Sequence, residues 1–196
     1  MILVCALASA CGGGSDDTDE NGAATDGGMA STGGPTSGPD DPTGGEMTAL
    51  VLAMAWQQVP AADDPLVSHR PAEVSCALGS WVHEPQGLEV NTATCNYAMF
   101  TQPAQVAIVP GARLQASVYH FDLAAEAPAT AHVALLIGET LVWEQDIAIP
   151  GKANAYAIDL PLDFAAAAGT PVYFHLHNHG QNTWTMGSIE VEVFGP

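Results

Sequence analysis

The chain has 196 residues, 22 of which are Asp or Glu and only three of which are Lys or Arg, so its formal net charge at pH 7 is −19. Binding to nucleic acid or to anionic lipid depends on Lys and Arg side chains that neutralise phosphates. The composition therefore argues against both as the main activity, and it leaves a neutral or cationic ligand open.

The N-terminus begins with a short apolar run, residues 2–10, which ends in small residues and is followed by a cysteine. This is the pattern of a secretory signal peptide, and the run is shorter than the roughly 20 apolar residues of a membrane-spanning helix. The letters LASAC at residues 7–11 resemble a bacterial lipobox, in which the cysteine becomes the lipidated first residue of the mature protein. The resemblance implies a signal peptide over residues 1–10, a lipid on Cys11, and an exported protein anchored to the outer membrane, in the periplasm or on the cell surface. A cleaved but unlipidated signal peptide is the alternative.

Glycine, proline and acidic residues dominate residues 12–46, a stretch of 35 residues with 11 Gly, 3 Pro and 8 Asp or Glu. Such a segment buries too little apolar surface to offset its chain entropy, so we expect it to be disordered. As a Gly-rich coil it would hold its ends about 30–35 Å apart. We therefore predict a disordered linker over residues 11–46 and one folded domain over residues 47–196, which keeps 14 acids and all three bases, a formal charge of −11.

The predicted domain contains two cysteines, Cys76 and Cys95. Export implies an oxidising compartment, where two thiols commonly pair, and their spacing matches no zinc motif. We predict a disulfide, which would contribute about 3 kcal/mol in the loop-entropy model. Two free thiols, or a thiolate metal site, are the alternatives.

Alternation of apolar and polar residues dominates the domain, and Gly and Pro turn signals separate the alternating runs. No window of 12 or more residues shows a helical period. The predicted strands are residues 49–56, 87–92, 104–109, 113–121, 131–137, 141–149, 155–160, 171–178 and 188–194. This pattern predicts an all-β domain, a two-sheet antiparallel sandwich of the jelly-roll kind.

The last third of the chain adds a family resemblance. The letters AGTPVYFHLHNHGQNTW, from residue 168, and IEVEVF, residues 189–194, are similar to the final strand pair of galactose-binding-like jelly-roll modules. In those families a Gly-led strand runs into an Asn/Gly turn and is followed by an alternating strand. The resemblance implies a sandwich fold and a binding role.

Two histidines share one face of the predicted strand 171–178. Alternation places His175 and His177 with Tyr173, opposite an apolar face that we expect to join the core. A His-x-His pair on a strand can supply two ligands to zinc or copper, and other strands would complete the set. The candidates for the remaining ligands are His120, His132, His179, Asp122 and Glu144.

The spacing from Gly169 to His175 and His177 resembles the start of a cupin metal motif, Gly-x5-His-x-His. The cupin pattern continues with a Glu four or five residues later, where this chain has Gln181 and Asn182. The alternative to a metal site is a solvated strand face followed by an ordinary turn.

The same region also reads as a rim for carbohydrate or another small ligand. Aromatic rings and amide groups occur together there, as they do in sugar-binding loops. The candidate ligand-binding residues are Tyr173, Asn178, Gln181, Asn182, Trp184 and, from an earlier segment, Trp81. The alternative for the tryptophans is a place in the sandwich core.

Catalytic motifs are absent from the sequence: it has no Gly-x-Ser-x-Gly, His-Glu-x-x-His, phosphate loop or Cys-x-x-Cys. We therefore favour binding over catalysis. The leading hypothesis is a membrane-tethered extracytoplasmic module that binds carbohydrate or another protein. A mononuclear zinc or copper protein is the alternative hypothesis, and a structural envelope lipoprotein is the third.

Overall fold

A computed structural model describes residues 45–195 of the chain. The predicted signal peptide, Cys11 and nearly all of the predicted linker lie outside the described residues. Within residues 45–195, no helix has the length and apolar character needed to cross a membrane.

Eleven strands and two short 3-10 helices form the regular structure of these residues. The helices are Ala61–Asp63 and Val67–His69, both between the second and third strands. The strands are β1 Glu46–Ala49, β2 Gln57–Gln58, β3 Trp81–Glu84, β4 Gly87–Asn91, β5 Tyr97–Pro103, β6 Arg113–His120, β7 Ala129–Ile137, β8 Thr140–Ile149, β9 Asn154–Pro161, β10 Pro171–His177 and β11 Thr183–Val193.

The strands form two antiparallel sheets that pack face to face. The first sheet has the order β3-β4-β11-β6-β9, with β1 paired to the C-terminal part of β11. The second has the order β2-β5-β10-β7-β8. Both inner faces contribute to one apolar core, so the predicted fold class, an all-β two-sheet sandwich of the jelly-roll kind, is confirmed.

Strand β10 shows how alternation builds this core. Val172, Phe174 and Leu176 belong to the core cluster, as the sequence predicts. The intervening residues of β10 point to the outer face of the second sheet. The two predicted faces of this strand are therefore present in the fold.

The predicted strands 49–56 and 104–109 are wrong. The side-chain amide of Gln102 bonds both backbone groups of Leu52: its Oε1 accepts from the N–H at 2.8 Å and its Nε2 donates to the carbonyl at 3.0 Å. A buried side chain thus takes the place of a strand partner after Ala49, the last residue of β1. Leu50, Val51 and Trp56 join the core, whereas Leu52 and Met54 are exposed. Residues 104–109 likewise cross between the sheets, with only Ile108 forming a bridge.

Strand β5 escaped prediction because it does not alternate. Five of its seven residues, Tyr97 to Phe100 and Gln102, are buried and Thr101 is half-buried, so both faces of the strand are covered. Strand β11 also begins earlier than predicted, at Thr183. The predicted turn at Gly187 is instead a bulge inside β11, where the pairing with β6 shifts between Met186 and Ile189.

Gly87 marks a point where backbone meets backbone, and it supplies a test of the fold. Its φ is +154°, and a Cβ there would lie 1.9 Å from the carbonyl oxygen of Met186. We expect Gly87→Ala to lower the free energy of unfolding by about 2–3 kcal/mol. Urea denaturation of the purified protein measures this change.

Gly79→Ala is the matched control, because Gly79 also has a positive φ, +88°, but nothing lies within 4 Å of its Cβ position. It should show only the cost of the left-handed backbone, about 1 kcal/mol. Equal losses in the two variants would contradict the close approach at Gly87.

Candidate metal centre

The outer face of the second sheet carries the histidines of interest. His175 on β10 pairs in register with Met99 on β5 and with Ala134 on β7. His177, two residues on, pairs with Tyr97 and His132. Because residues directly opposite each other in a sheet project from the same face, these side chains form one patch.

The segment between β2 and β3 covers this patch and removes it from water. The carboxylate of Asp64, with its side chain 0% exposed, accepts a hydrogen bond from the Tyr97 hydroxyl at 2.5 Å and pairs with Arg70 at 3.1 Å. The Arg70 guanidinium also lies over the Tyr97 ring, 5.0 Å from its centroid. Burial, and then the bond to Asp64, raises the pKa of Tyr97 well above its usual value. The phenol therefore stays protonated and keeps donating.

A disulfide between Cys76 and Cys95 fastens the far end of the same covering segment. Cys95 lies just before β5, so the bridge ties the segment to the sheet that it covers. The predicted cysteine pairing is confirmed.

Three imidazoles converge where the covering segment meets the sheet. His69, at the end of the second 3-10 helix, stacks on His132 with ring centroids 4.0 Å apart, and His175 lies 5.0 Å from His132. One ring nitrogen from each of the three lies within 4.8 Å of the others. Metal–nitrogen bonds of about 2.0–2.1 Å in a tetrahedral site place such nitrogens about 3.4 Å apart. The rings of His69 and His132 are stacked with an interplanar angle of 15°, so they would have to reorient for all three nitrogens to bind one ion.

His175 is the most unusual residue of the group. Its side chain is 0% exposed, and neither Nδ1 nor Nε2 has a hydrogen-bond partner among the described residues. Burial, followed by the neighbouring histidines His132 and His69, lowers its pKa to about 2. His175 is therefore neutral at physiological pH, with a lone pair that forms no bond. An unpaired buried polar group costs about 1–3 kcal/mol, so this position calls for an explanation.

His132 is oriented as metal-binding histidines commonly are. Its Nε2 lies 3.2 Å from Oε2 of Glu144, which is largely exposed on β8, while its Nδ1 is buried without a partner among the described residues. A carboxylate that holds one imidazole nitrogen fixes the ring and leaves the other nitrogen for the metal. Glu144, predicted as a ligand candidate, thus lies behind a ligand.

The structure brings together only part of the predicted ligand set. His175 and His132 are in the converging group, but the third member is His69, which sequence reasoning missed. His177 lies beside them, and its ring centroid is 4.5 Å from that of His179. Burial, followed by the neighbouring His179, lowers the pKa of His177 to about 4.

His120, the other predicted ligand, is on β6 in the first sheet, on the opposite side of the core. Its Nδ1 lies 2.7 Å from the Phe121 carbonyl and its Nε2 lies 3.4 Å from the Tyr156 hydroxyl, so both nitrogens are engaged. Asp122, a further candidate, pairs with Lys152 at 2.9 Å on the surface. Neither residue is near the three converging histidines.

The predicted ligand rim is spread over different environments. Trp184 is 0% exposed and belongs to the core, which corrects its predicted role as a stacking surface. The side chain of Asn178 is buried and bonds both backbone groups of Gly180. Asn182 donates to the carbonyls of Phe121 and Asp122.

The other rim residues do not meet on one surface. Trp81 is half-buried and packs edge-on against Phe100, and Tyr173 is half-buried on the outer face. Gln181 is exposed and lines a cavity of about 620 Å³ together with His179 and residues 124–129. Of the predicted rim, Gln181 alone lines this cavity.

The comparisons with known proteins found distant structural likenesses and no sequence relatives. No protein-family model and no curated protein matches the sequence. The CBM36-1 domain of a multidomain xylanase from the hindgut metagenome of Trinervitermes trinervoides is 11% identical, with a TM-score of 0.44 over 77% of this chain and 100% of that one. The xylan-binding module CBM15 is 10% identical, with a TM-score of 0.45 over 76% and 97%. The K3 adhesin domain of Lys-gingipain from Porphyromonas gingivalis is 12% identical, with a TM-score of 0.42 over 74% and 94%. Likenesses this distant assign no ligand to this chain.

The cover over the histidines can be tested at Tyr97. Tyr97→Phe removes the hydrogen bond that the buried Asp64 carboxylate accepts, and we expect the free energy of unfolding to fall by about 1–3 kcal/mol. Chemical denaturation followed by tryptophan fluorescence measures the change. Tyr119→Phe is the control, since Tyr119 is exposed, and it should change stability by less than about 0.5 kcal/mol. A Tyr97→Phe effect as small as that of the control would show that the cover does not depend on this bond.

Proposed function

We propose that this domain binds one transition-metal ion, zinc or copper, through His69, His132 and His175. One observation carries the proposal: a fully buried, neutral imidazole, with both nitrogens unpartnered among the described residues, faces two further imidazoles. Metals bind the neutral form of histidine, and burial holds His175 in that form.

Other histidines of the same chain show what a structural role looks like. Both nitrogens of His120 are within hydrogen-bond distance of oxygens, and Nε2 of His83 lies 2.9 Å from the Trp56 carbonyl. Buried polar groups in folded proteins are almost always bonded in this way. Among the described histidines, His175, Nδ1 of His132 and Nε2 of His177 depart from that rule, and the rings of His175 and His132 adjoin each other. The indole nitrogens of Trp56 and Trp184 are also buried without a partner among the described residues, but neither is a metal ligand.

The surrounding charges suit a cation. An imidazole ligand carries no charge when it binds a metal, so the ion would keep its positive charge under the cover. Glu144 is in place to offset part of it through His132, and the domain as a whole is strongly acidic. Three nitrogens also leave a fourth position on a tetrahedral ion for another donor.

Carbohydrate or protein binding remains a second proposal, and the cavity beside Gln181 is the observation that favours it. The cavity is open, about 620 Å³ in volume, and polar and apolar groups line it. Sugars are bound by such mixtures of groups. A glycan array with the wild-type protein and with Gln181→Ala tests this: a glycan signal that the substitution does not change would place the ligand elsewhere.

We also propose that the domain works outside the cytoplasm, held to a membrane by a lipid on Cys11. The lipobox-like letters support this, and so does the disulfide, because disulfides persist in oxidising compartments. In a detergent phase-partition experiment we expect the wild-type protein in the detergent phase and Cys11→Ser in the aqueous phase. A wild-type protein found only in the aqueous phase would overturn the anchor.

The metal proposal predicts that His175 and His120 respond in opposite ways to the same substitution. His175→Leu should abolish metal binding, yet the metal-free variant should be at least as stable as the metal-free wild type, because leucine has no polar atoms to leave unpaired. His120→Leu should retain the metal and lose about 1–2 kcal/mol of stability with its two hydrogen bonds.

Elemental mass spectrometry of protein loaded with zinc or copper and then desalted measures the metal, and thermal unfolding with and without a chelator measures the stability. We expect about one ion per chain and a melting temperature that falls in chelator. A well-folded wild-type protein that keeps neither metal after loading would refute the proposed function.

A further inference from the structure

We propose that the thioether of Met99 is the fourth donor of this centre, and that the centre therefore prefers copper, in its monovalent state, over zinc. The inference rests on the proposed metal-binding function and goes further by naming the ion. It depends on the position of Met99 and on which other potential metal ligands already have a hydrogen-bond or disulfide partner.

Met99 is the direct register partner of His175 across the β5–β10 ladder. Directly opposed residues have Cβ atoms about 4.5–5.5 Å apart and project from the same face. The neighbours of Met99 along β5, Ala98 and Phe100, belong to the sandwich core, so Met99 projects to the outer face. An unbranched side chain with three rotatable bonds can then place its sulfur beside the His175 ring.

The burial of Met99 comes from the covering segment and not from the core. Met99 is only 1% exposed, yet it is not part of the core cluster of the sandwich. The backbone of Val59, at the start of the cover, donates to the Met99 carbonyl at 2.8 Å. Met99 and His175 are therefore enclosed in the same compartment, beneath the same segment.

Several other donors that could compete for the ion already have partners, and the exception is His177, whose Nε2 is buried without a partner among the described residues. The oxygens of Asp64 are engaged by Tyr97, Arg70 and the Leu66 N–H. The Tyr97 hydroxyl already donates a hydrogen bond to Asp64. Both cysteines of the domain are in the disulfide, so no thiolate is available among the described residues.

Three imidazoles and a thioether form a neutral and comparatively soft ligand set. Soft thioether ligands select Cu(I), whereas zinc prefers nitrogen, thiolate and carboxylate donors. A monovalent ion also costs less to bury than a divalent one when no anionic ligand compensates its charge. Both considerations favour Cu(I) at this position.

The test compares Met99→Leu, which keeps the volume and apolar character of the side chain, with wild-type full-length protein. The probes are Cu(I), titrated without oxygen against a chromogenic chelator, and Zn(II). For Met99→Leu we expect the Cu(I) affinity to fall by about tenfold or more and the Zn(II) affinity to change by less than about threefold. Met186→Leu is the control, because Met186 is equally buried but belongs to the core on the first sheet, and it should leave both affinities unchanged.

X-ray absorption at the copper edge gives a second measurement that does not depend on stability. A sulfur atom in the first coordination shell of the wild-type protein that disappears in Met99→Leu would be the Met99 thioether, whereas a thiolate of Cys5 or Cys11 would persist in that variant. If Met99→Leu binds Cu(I) as tightly as the wild type, or the wild type shows nitrogen ligands alone, the inference about Met99 is overturned while the metal centre stands. If the wild type binds neither ion, the proposed function itself fails.

Discussion

The buried contact of Asp64 with Tyr97 and Arg70 is the interaction on which the rest of the candidate site depends. Burying a carboxylate is costly unless its charge is paired and its oxygens are bonded. Here Oδ2 of Asp64 accepts hydrogen bonds from the Tyr97 hydroxyl and the Arg70 guanidinium, and Oδ1 accepts one from the Leu66 N–H. Arg70 and Leu66 belong to the same segment as Asp64, whereas Tyr97 belongs to β5, so the Tyr97–Asp64 bond is the contact that joins the segment between β2 and β3 to the sheet. The outer face of the second sheet is thereby buried at this position.

Because this face of the sheet is buried, histidines of the same chain lie in chemically different environments. A histidine on the wet face of a sandwich titrates near pH 6.5 and finds water for its nitrogens. Under the cover, His175 is held neutral and its nitrogens find no partner among the described residues. The sandwich core handles its own histidine differently, because His120 is bonded on both sides of its ring. A buried imidazole that lacks hydrogen-bond partners among the described residues and also faces further imidazoles is what distinguishes His175 from His120.

Alternation was enough to predict the sandwich, the two faces of β10 and the position of His175, because these depend on local periodicity. The disulfide followed from cysteine count and compartment. The sequence could not identify His69 as a candidate ligand, because it lies in a short 3-10 turn with no periodicity. Only the fold of the covering segment brings it to His132. Trp184 was misassigned for a related reason: β11 begins at Thr183, and the bulge between Met186 and Ile189 shifts its alternation by one residue, which turns Trp184 into the core.

The proposed ion would act on the same structural element as the Asp64 contact and the disulfide. His69 belongs to the cover, whereas His132 and His175 belong to the sheet beneath it, so an ion bound by all three would join the two layers. Binding to the folded state alone adds stability that grows with the ratio of free metal to dissociation constant. The cover is already fastened before β5 by the Cys76–Cys95 bridge and midway by Asp64. The covering segment is therefore already held on the sheet before an ion binds. Little further ordering of the chain is needed, which keeps the entropy cost of metal binding low.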